Sequence, residues 1–181
     1  MISCHIELAE KADKTDRPFC LHITHYSPAN LEVFKLLKGY YSNEQWEKQR
    51  EEVFEAIGTN RNLNKLYREE KLYDRIIAAI EREPRRPGGL AQFELNEITS
   101  YEDVLRPQYD ERLLALHETI AQNIAKPTSG RNGYKEVVKV LNRMLKYPNG
   151  KEAVDRLIEE WRTTYSNRPA MQDELGRVYN K

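Results

Sequence analysis

The stretch GYKEVVKVLNRMLKYPNGKEAVDRLIEEWRTTY, Gly133 to Tyr165, decides the fold. Its centre, YPNG, holds an Asn-Gly pair, the dipeptide that most often turns one β-strand back on another. A strand hairpin needs alternating apolar residues on both sides. Here Tyr134, Val137, Val138, Leu141, Met144 and Leu145 recur at helical steps before the turn, and Val154, Leu157, Ile158, Trp161 and Tyr165 do so after it. That is one apolar stripe per 3.6 residues, so the turn joins two helices.

The same period spreads outward. Downstream, SNRP resets the chain for a final helix with Met171, Leu175 and Val178. Upstream, Leu113, Leu116, Ile120 and Ile124 share a stripe over Tyr109 to Lys126, which Pro127 stops. Ser100 with Asp103 predicts the cap of a short helix ending before Pro107, and PRRPGG, Pro84 to Gly89, is the strongest breaker in the chain. Before it, LYREEKLYDRIIAAI places Leu66, Tyr67, Leu72, Tyr73, Ile76, Ile77 and Ile80 on two helices or one bent one. Ser42 and Gln45 form a capping box ahead of Trp46, Val53, Phe54 and Ile57, with Gly58 set to supply a left-handed stop. Ser27 reads as the cap of an earlier helix, with Pro28 at its first position and Leu31, Phe34 and Leu37 on its apolar face.

These segments predict an all-α fold of stacked antiparallel helix pairs, an α-α superhelix of the tetratricopeptide type. LYREEKLYDRIIAAI and GYKEVVKVLNRML share an aromatic-then-aliphatic rhythm, although no strict 34-residue period runs through the chain. Periodicity alone leaves a closed bundle open as the alternative. The expected organisation is an irregular segment over 1–26, a helical subdomain over 27–83, a linker with a short helix over 84–108, and a second helical subdomain over 109–181.

Composition narrows the function. The 181 residues carry 29 basic and 29 acidic side chains, so no global charge draws the chain to nucleic acid or an anionic membrane. No apolar run approaches the roughly 20 residues that span a bilayer. Two cysteines, without a secretory leader pattern ahead of them, point to a reducing, cytoplasmic setting.

YEDVLRPQYDERLLALHETIA and GYKEVVKVLNRMLKYPNGKEAVDRLIEEWRTTYSNRPAMQDEL together resemble the C-terminal helical region of bacterial SWIM zinc finger family proteins. A tyrosine-led helix, a Gly-Lys-containing turn, an aliphatic helix and an NRPAxxDEL-like ending occur there in this order. The resemblance covers residues 101–181 best and extends loosely back to about Leu31. It implies a superhelical interaction region, carried in the family behind a zinc-binding module associated with DNA or protein binding. The family's zinc motif is CxC followed by CxH. Cys20-Leu21-His22 matches the second half, whereas Cys4 has Ile2 and Ile6 where a first half would need another cysteine.

The first 25 residues hold both cysteines and three of the four histidines: Cys4, His5, Cys20, His22 and His25. Zinc takes four thiolate or imidazole ligands at tetrahedral angles, and Cys4, Cys20, His22 and His25 would supply them if Cys4 folds back beside Cys20. The plainer reading is a buried cysteine packing as a small hydrophobe beside surface histidines, with no cofactor. A nucleophilic Cys20–His22 pair has no orienting third group in sight. His117 lies on the stripe of Leu113 and Ile120, where a packed histidine is expected. No HExxH, Walker A or GxGxxG motif occurs, so the chain reads as non-enzymatic.

Lys135, Lys139, Arg143 and Lys146 lie opposite the apolar stripe of their helix, with Arg131 and Lys151 nearby. Such a row suits phosphates, and Tyr134 or Tyr147 would stack on a base; it also suits a plain solvated helix face. The leading expectation is a helical domain that binds a protein or peptide partner. The alternative is a zinc-assisted nucleic-acid module built from the N-terminal cluster and the lysine row.

Overall fold

The structure, a computed structural model, describes residues 29–58, 62–82 and 91–179. Among these residues there are nine helices and no strand, so the fold is all-helical. They are α1 Leu31–Lys38, α2 Asn43–Ile57, α3 Leu63–Glu69, α4 Tyr73–Arg82, α5 Ala91–Leu105, α6 Asp110–Ala125, α7 Arg131–Met144, α8 Gly150–Thr164 and α9 Pro169–Leu175. By contact the chain divides into two compact units between Ile76 and Ile77, within α4. The breaker Pro84–Gly89, where the sequence places its boundary, lies outside the described residues.

In the first unit, helix ends follow local chemistry. Ser42 caps α2 with the reciprocal bonds of the capping box: its hydroxyl accepts from Gln45 N, and Gln45 Oε1 accepts from Ser42 N. Gly58 ends α2 at φ 67°, ψ −152°, a region open essentially to glycine alone. The start of α1 corrects the sequence reading. Asn30 caps the helix that carries Leu31, Phe34 and Leu37, its side-chain oxygen accepting from Glu32 N at 3.0 Å and Val33 N at 3.2 Å, while Ser27 and Pro28 lie outside the described residues. Asparagine caps as well as serine, and two good caps three residues apart cannot be ranked by propensity. Leu63–Glu69 and Tyr73–Arg82 are separate helices, broken where Lys71 takes φ 57°.

The core of this unit is aromatic. Phe34 meets Trp46 edge-on at 5.0 Å and stacks on Phe54 at 5.9 Å, while Tyr67 meets Phe54 edge-on at 4.9 Å. Leu37, Val53, Leu63 and Leu66 close round these rings. Each such fully buried side chain stabilises the fold by roughly 1.5–3 kcal/mol relative to exposure.

In the second unit α5 packs on α6, α6 on α7, and α7 on both α8 and α9. Tyr134, Val137, Leu141 and Met144 turn inward as their spacing requires, together with Val140, while Val138 and Leu145 are only half-buried. The stripe is therefore rotated slightly toward Val140. On α6, Leu113, Leu116 and Ile120 are buried, but Ala121 and Ala125 take the inner places at the C-terminal end and Ile124 is half-buried. Small side chains let neighbouring backbone approach, a signal that hydrophobicity alone undervalues.

The region expected to be a linker with a short helix carries the 15-residue α5. Ser100 does not cap it. Its hydroxyl instead donates to Asn96 O, four residues back, at 2.8 Å, so it sits inside the helix. Leu95, Ile98, Tyr101 and Leu105 are the buried hydrophobic residues that hold α5 to the core.

Candidate functional site

Three places in the described residues concentrate polar side chains. The first is interior. Tyr147, just after α7, donates its hydroxyl to Glu102 Oε1 on α5. His117, on α6 and 0% exposed, has Nδ1 2.8 Å from Leu113 O and Nε2 3.8 Å from the same Glu102 oxygen. Arg143 Nε stands 4.0 Å from that oxygen as well. The Arg106 guanidinium lies 4.5 Å over the Tyr147 ring, and Arg106 also donates to both Asp110 oxygens and to Lys146 O. Burial and the hydrogen bond to a carboxylate push the Tyr147 phenol far above its ordinary pKa. With His117 and Tyr147 both buried, this cluster ties α5, α6 and the end of α7 together rather than presenting groups to solvent.

The second place is Glu70, at the end of α3. It accepts from Lys38 Nζ at 2.8 Å, Trp46 Nε1 at 3.1 Å and Arg50 Nη1 at 3.2 Å, with its side chain only 3% exposed. Burial alone would raise its pKa; the bonds from Lys38 and Trp46, with the Lys38 charge and Arg50, outweigh it and hold the carboxyl below its usual value. This group orients α1 and α2 on α3.

The third is open to solvent. Along the first three turns of α2 runs a groove of about 560 Å³ lined by Tyr40, Tyr41, Glu44, Gln45, Lys48, Gln49 and Glu52. Glu44, Lys48 and Glu52 recur every four residues and so form one ridge; Gln45 and Gln49 form the next. Gln49 is buried, and its amide donates to Glu52 Oε2 at 3.5 Å. The ring of Tyr41 lies 6.1 Å from that of Trp46, which anchors the tyrosine end of the groove in the core beneath. Sequence reasoning used Gln45 only as a capping partner and passed over this groove. The four-residue recurrence of Glu44, Lys48 and Glu52 is the signal that would have drawn attention to it.

The sequence-derived candidates fare differently. Cys4, Cys20, His22 and His25 lie outside the described residues. Among the described residues no group of three or more His, Cys, Asp or Glu side chains could hold a metal ion. Lys135 and Lys139 lie exposed on α7 and Lys146 exposed in the turn after it, while Arg143 is half-buried against Glu102. Lys139 pairs with Glu136 at 2.6 Å. Tyr134 and Tyr147, expected as stacking platforms for bases, are buried at 3% and 5% exposure and belong to the core. Their aromatic rings fit the inner stripe, and the hydroxyl of Tyr134 reaches Thr128 O at 3.1 Å. Arg131 binds Asp173 and Glu174, and Lys151 binds Asp155.

No described helix is long and apolar enough to cross a membrane. Comparison of the chain with protein-family models, with curated proteins and with solved structures finds no match.

Proposed function

We propose that the chain is a non-enzymatic, tetratricopeptide-like helical interaction domain that binds a protein or peptide partner. The observation that carries this reading is the groove on α2. It sets two tyrosines and two glutamines, side chains that contribute contact area and adaptable hydrogen bonds, beside a charged ridge of Glu44, Lys48 and Glu52. The polar cluster of Glu102, His117 and Tyr147 supports the same reading from the other side: its most reactive groups are spent on joining helices. The likeness of residues 101–181 to the helical region of SWIM zinc finger proteins agrees with an interaction role.

The lysine row is the weaker surface for a phosphate backbone. Two of its four cations already face carboxylates, and the tyrosines beside it are buried. Nucleic-acid binding by Lys135, Lys139, Arg143 and Lys146, aided by zinc at the N-terminal cluster, is therefore the second reading.

Photo-crosslinking tests the first. A photoreactive residue at position 48, in the groove, is expected to give discrete protein adducts in cells, and the same residue at position 160, on the outer face of α8, is not. Equal adduct patterns from both positions, or turnover of a defined substrate without adducts, would overturn it.

A further inference from the structure

The YPNG turn, Tyr147 to Gly150, does more than reverse the chain. Gly150 N donates to Tyr147 O at 3.0 Å, and Asn149 takes φ 59°, ψ 6°. Pro148 holds the preceding φ in its own narrow negative range, so this is a type II turn, with asparagine in the left-handed place open to glycine or asparagine. The other side of the same peptide group is held too: Asn149 O accepts from Ala153 N at 3.1 Å, at the start of α8. The Asn149 side chain, by contrast, caps nothing and is exposed.

Asn-Gly is a dipeptide open to self-modification, because glycine has no Cβ to keep its amide nitrogen from the preceding carboxamide carbon. The nitrogen attacks Cγ, an N–C bond forms, the Cγ–Nδ2 bond breaks, and the amide proton leaves with Nδ2 as ammonia. Water then opens the cyclic imide on one side or the other, giving an aspartyl or an isoaspartyl residue; nothing is oxidised or reduced. Closing the imide ring brings Cβ and the glycine nitrogen into eclipse about the asparagine Cα–C bond. At ψ 6° Gly150 N instead eclipses the nitrogen of Asn149 itself, a full tetrahedral step from Cβ. Reaching the reactive geometry therefore rotates the peptide group between Asn149 and Gly150 and breaks both of its hydrogen bonds. Gly150 is hemmed in as well, its α-carbon so near Met144 O that a Cβ would stand 1.9 Å from it. We propose that Asn149 is a self-modification site gated by the fold: the closed turn prevents imide formation, the opened turn permits it, and the isoaspartyl product keeps the turn from closing again. The isoaspartyl linkage runs the main chain through Cβ, one atom longer where Gly150 packs on Met144 O, and it displaces the carbonyl that Ala153 N meets. Opening of the α7–α8 junction is thereby recorded covalently.

The test is peptide mapping by mass spectrometry, with enzymatic methylation to count isoaspartyl groups, on the full chain aged at mildly alkaline pH in buffer and in urea. Asn132-Gly133, the other such pair, supplies the reference for the unfolded rate. In urea the two asparagines are expected to react alike. In the folded protein Asn149 should react about thirtyfold more slowly than in urea, the factor that two backbone hydrogen bonds impose. Pro148→Gly, which keeps the reacting pair but loosens the turn, should quicken the native reaction about two- to fivefold and leave the reaction in urea unchanged. Asn149→Asp should fold as the parent does, because aspartate also tolerates the left-handed region. Isoaspartyl chains recovered from urea should not regain the parent's thermal transition. Equal rates at Asn149 in buffer and in urea, or a native rate unmoved by Pro148→Gly, would overturn the gating. Refolding of the isoaspartyl chain to the parent's stability, or an Asn149→Asp chain that fails as well, would overturn the role of the lengthened main chain.

Discussion

The phenol of Tyr147 donates to a carboxylate oxygen of Glu102, linking the end of α7 to the middle of α5 across 45 residues of chain. The same oxygen faces His117 Nε2 at 3.8 Å, so one carboxylate joins three helical segments. Removing only the hydroxyl, as in Tyr147→Phe, leaves Glu102 short of a donor while preserving the ring under Arg106. The expected loss is about 1–3 kcal/mol, the cost of leaving a partly buried acceptor unsatisfied. Tyr147→Ala also opens a cavity and should cost about 3–5 kcal/mol. Urea denaturation midpoints at constant slope would check both; a Tyr147→Phe variant as stable as the parent would mean that the bond contributes nothing.

The same tyrosine makes a prediction at high pH. Its folded pKa lies above that of an unfolded tyrosine, at about 10. Its contribution is thus fully present below pH 10 and is lost as pH rises past that value, because the unfolded chain releases the proton first. Tyr179 behaves alike on a smaller scale, its phenol pushed up to about 12 by burial and by its bond to Asp155. Stability of the parent should fall more steeply above pH 10 than that of Tyr147→Phe, and a tyrosinate absorbance titration should show the native protein lacking early-titrating groups that appear on unfolding.

Glu70 gives the acid counterpart. Its folded pKa is depressed, so its contribution is present above the unfolded carboxyl value near 4.5 and is lost as pH falls through the folded one. Glu70→Gln keeps the shape but removes the charge that Lys38 and Arg50 share. It should destabilise the first unit by about 1.5–3 kcal/mol near neutral pH and flatten its stability profile below pH 4.5. Tryptophan emission from Trp46, whose indole donates to this carboxylate, offers a local readout, provided that Trp161 is replaced by Phe in parent and variant alike. An unchanged acid limb would show that the three donors to Glu70 do not act through its charge.

Glycines separate geometric need from loop composition. A Cβ on Gly150 would stand 1.9 Å from Met144 O, backbone that cannot swing aside, whereas one on Gly130 would meet nothing within 4 Å. Gly150→Ala should therefore cost about 2–3 kcal/mol or more, as overpacking does. Gly130 caps α7 without any side-chain bond, so Gly130→Ser should stabilise by a few tenths of a kcal/mol. Thermal unfolding of the two variants should shift in opposite directions.

These sites show how far the sequence reaches. The YPNG turn was legible because both flanks kept a helical period, and Asn149 indeed takes φ 59° while Gly150 starts α8. The capping box at Ser42 was legible because its two halves sit three residues apart. The length of α5 was not: Thr99, Ser100 and Asp103 weaken the local pattern, while Ile98, Tyr101 and Leu105 hold the helix through contacts with α6 that only folding supplies. The Glu102–Tyr147 link was equally hidden, since nothing in a sequence pairs a glutamate with a tyrosine 45 residues on. A tyrosine read as a base-stacking platform turned out to be a core residue because its hydroxyl had a distant partner.

Arg168 carries the last prediction. It precedes α9, and its guanidinium donates to Ala125 O and Thr128 O at 3.0 Å and to Lys126 O at 3.3 Å. These are carbonyls at the end of α6 and just beyond, where a helix leaves acceptors unpaired and its dipole favours a cation. The same guanidinium stacks 4.2 Å over Tyr165, which fixes its plane. Three acceptors met by one planar fork demand that shape, and an ammonium on a flexible stem cannot reach all three at once. Arg168→Ala should thus destabilise the second unit by about 1.5–3 kcal/mol, and Arg168→Lys should recover less than half of that loss. Hydrogen exchange should localise the effect to the end of α6 and to α9. Full rescue by lysine would show that charge near the helix end suffices and that the fork geometry is incidental.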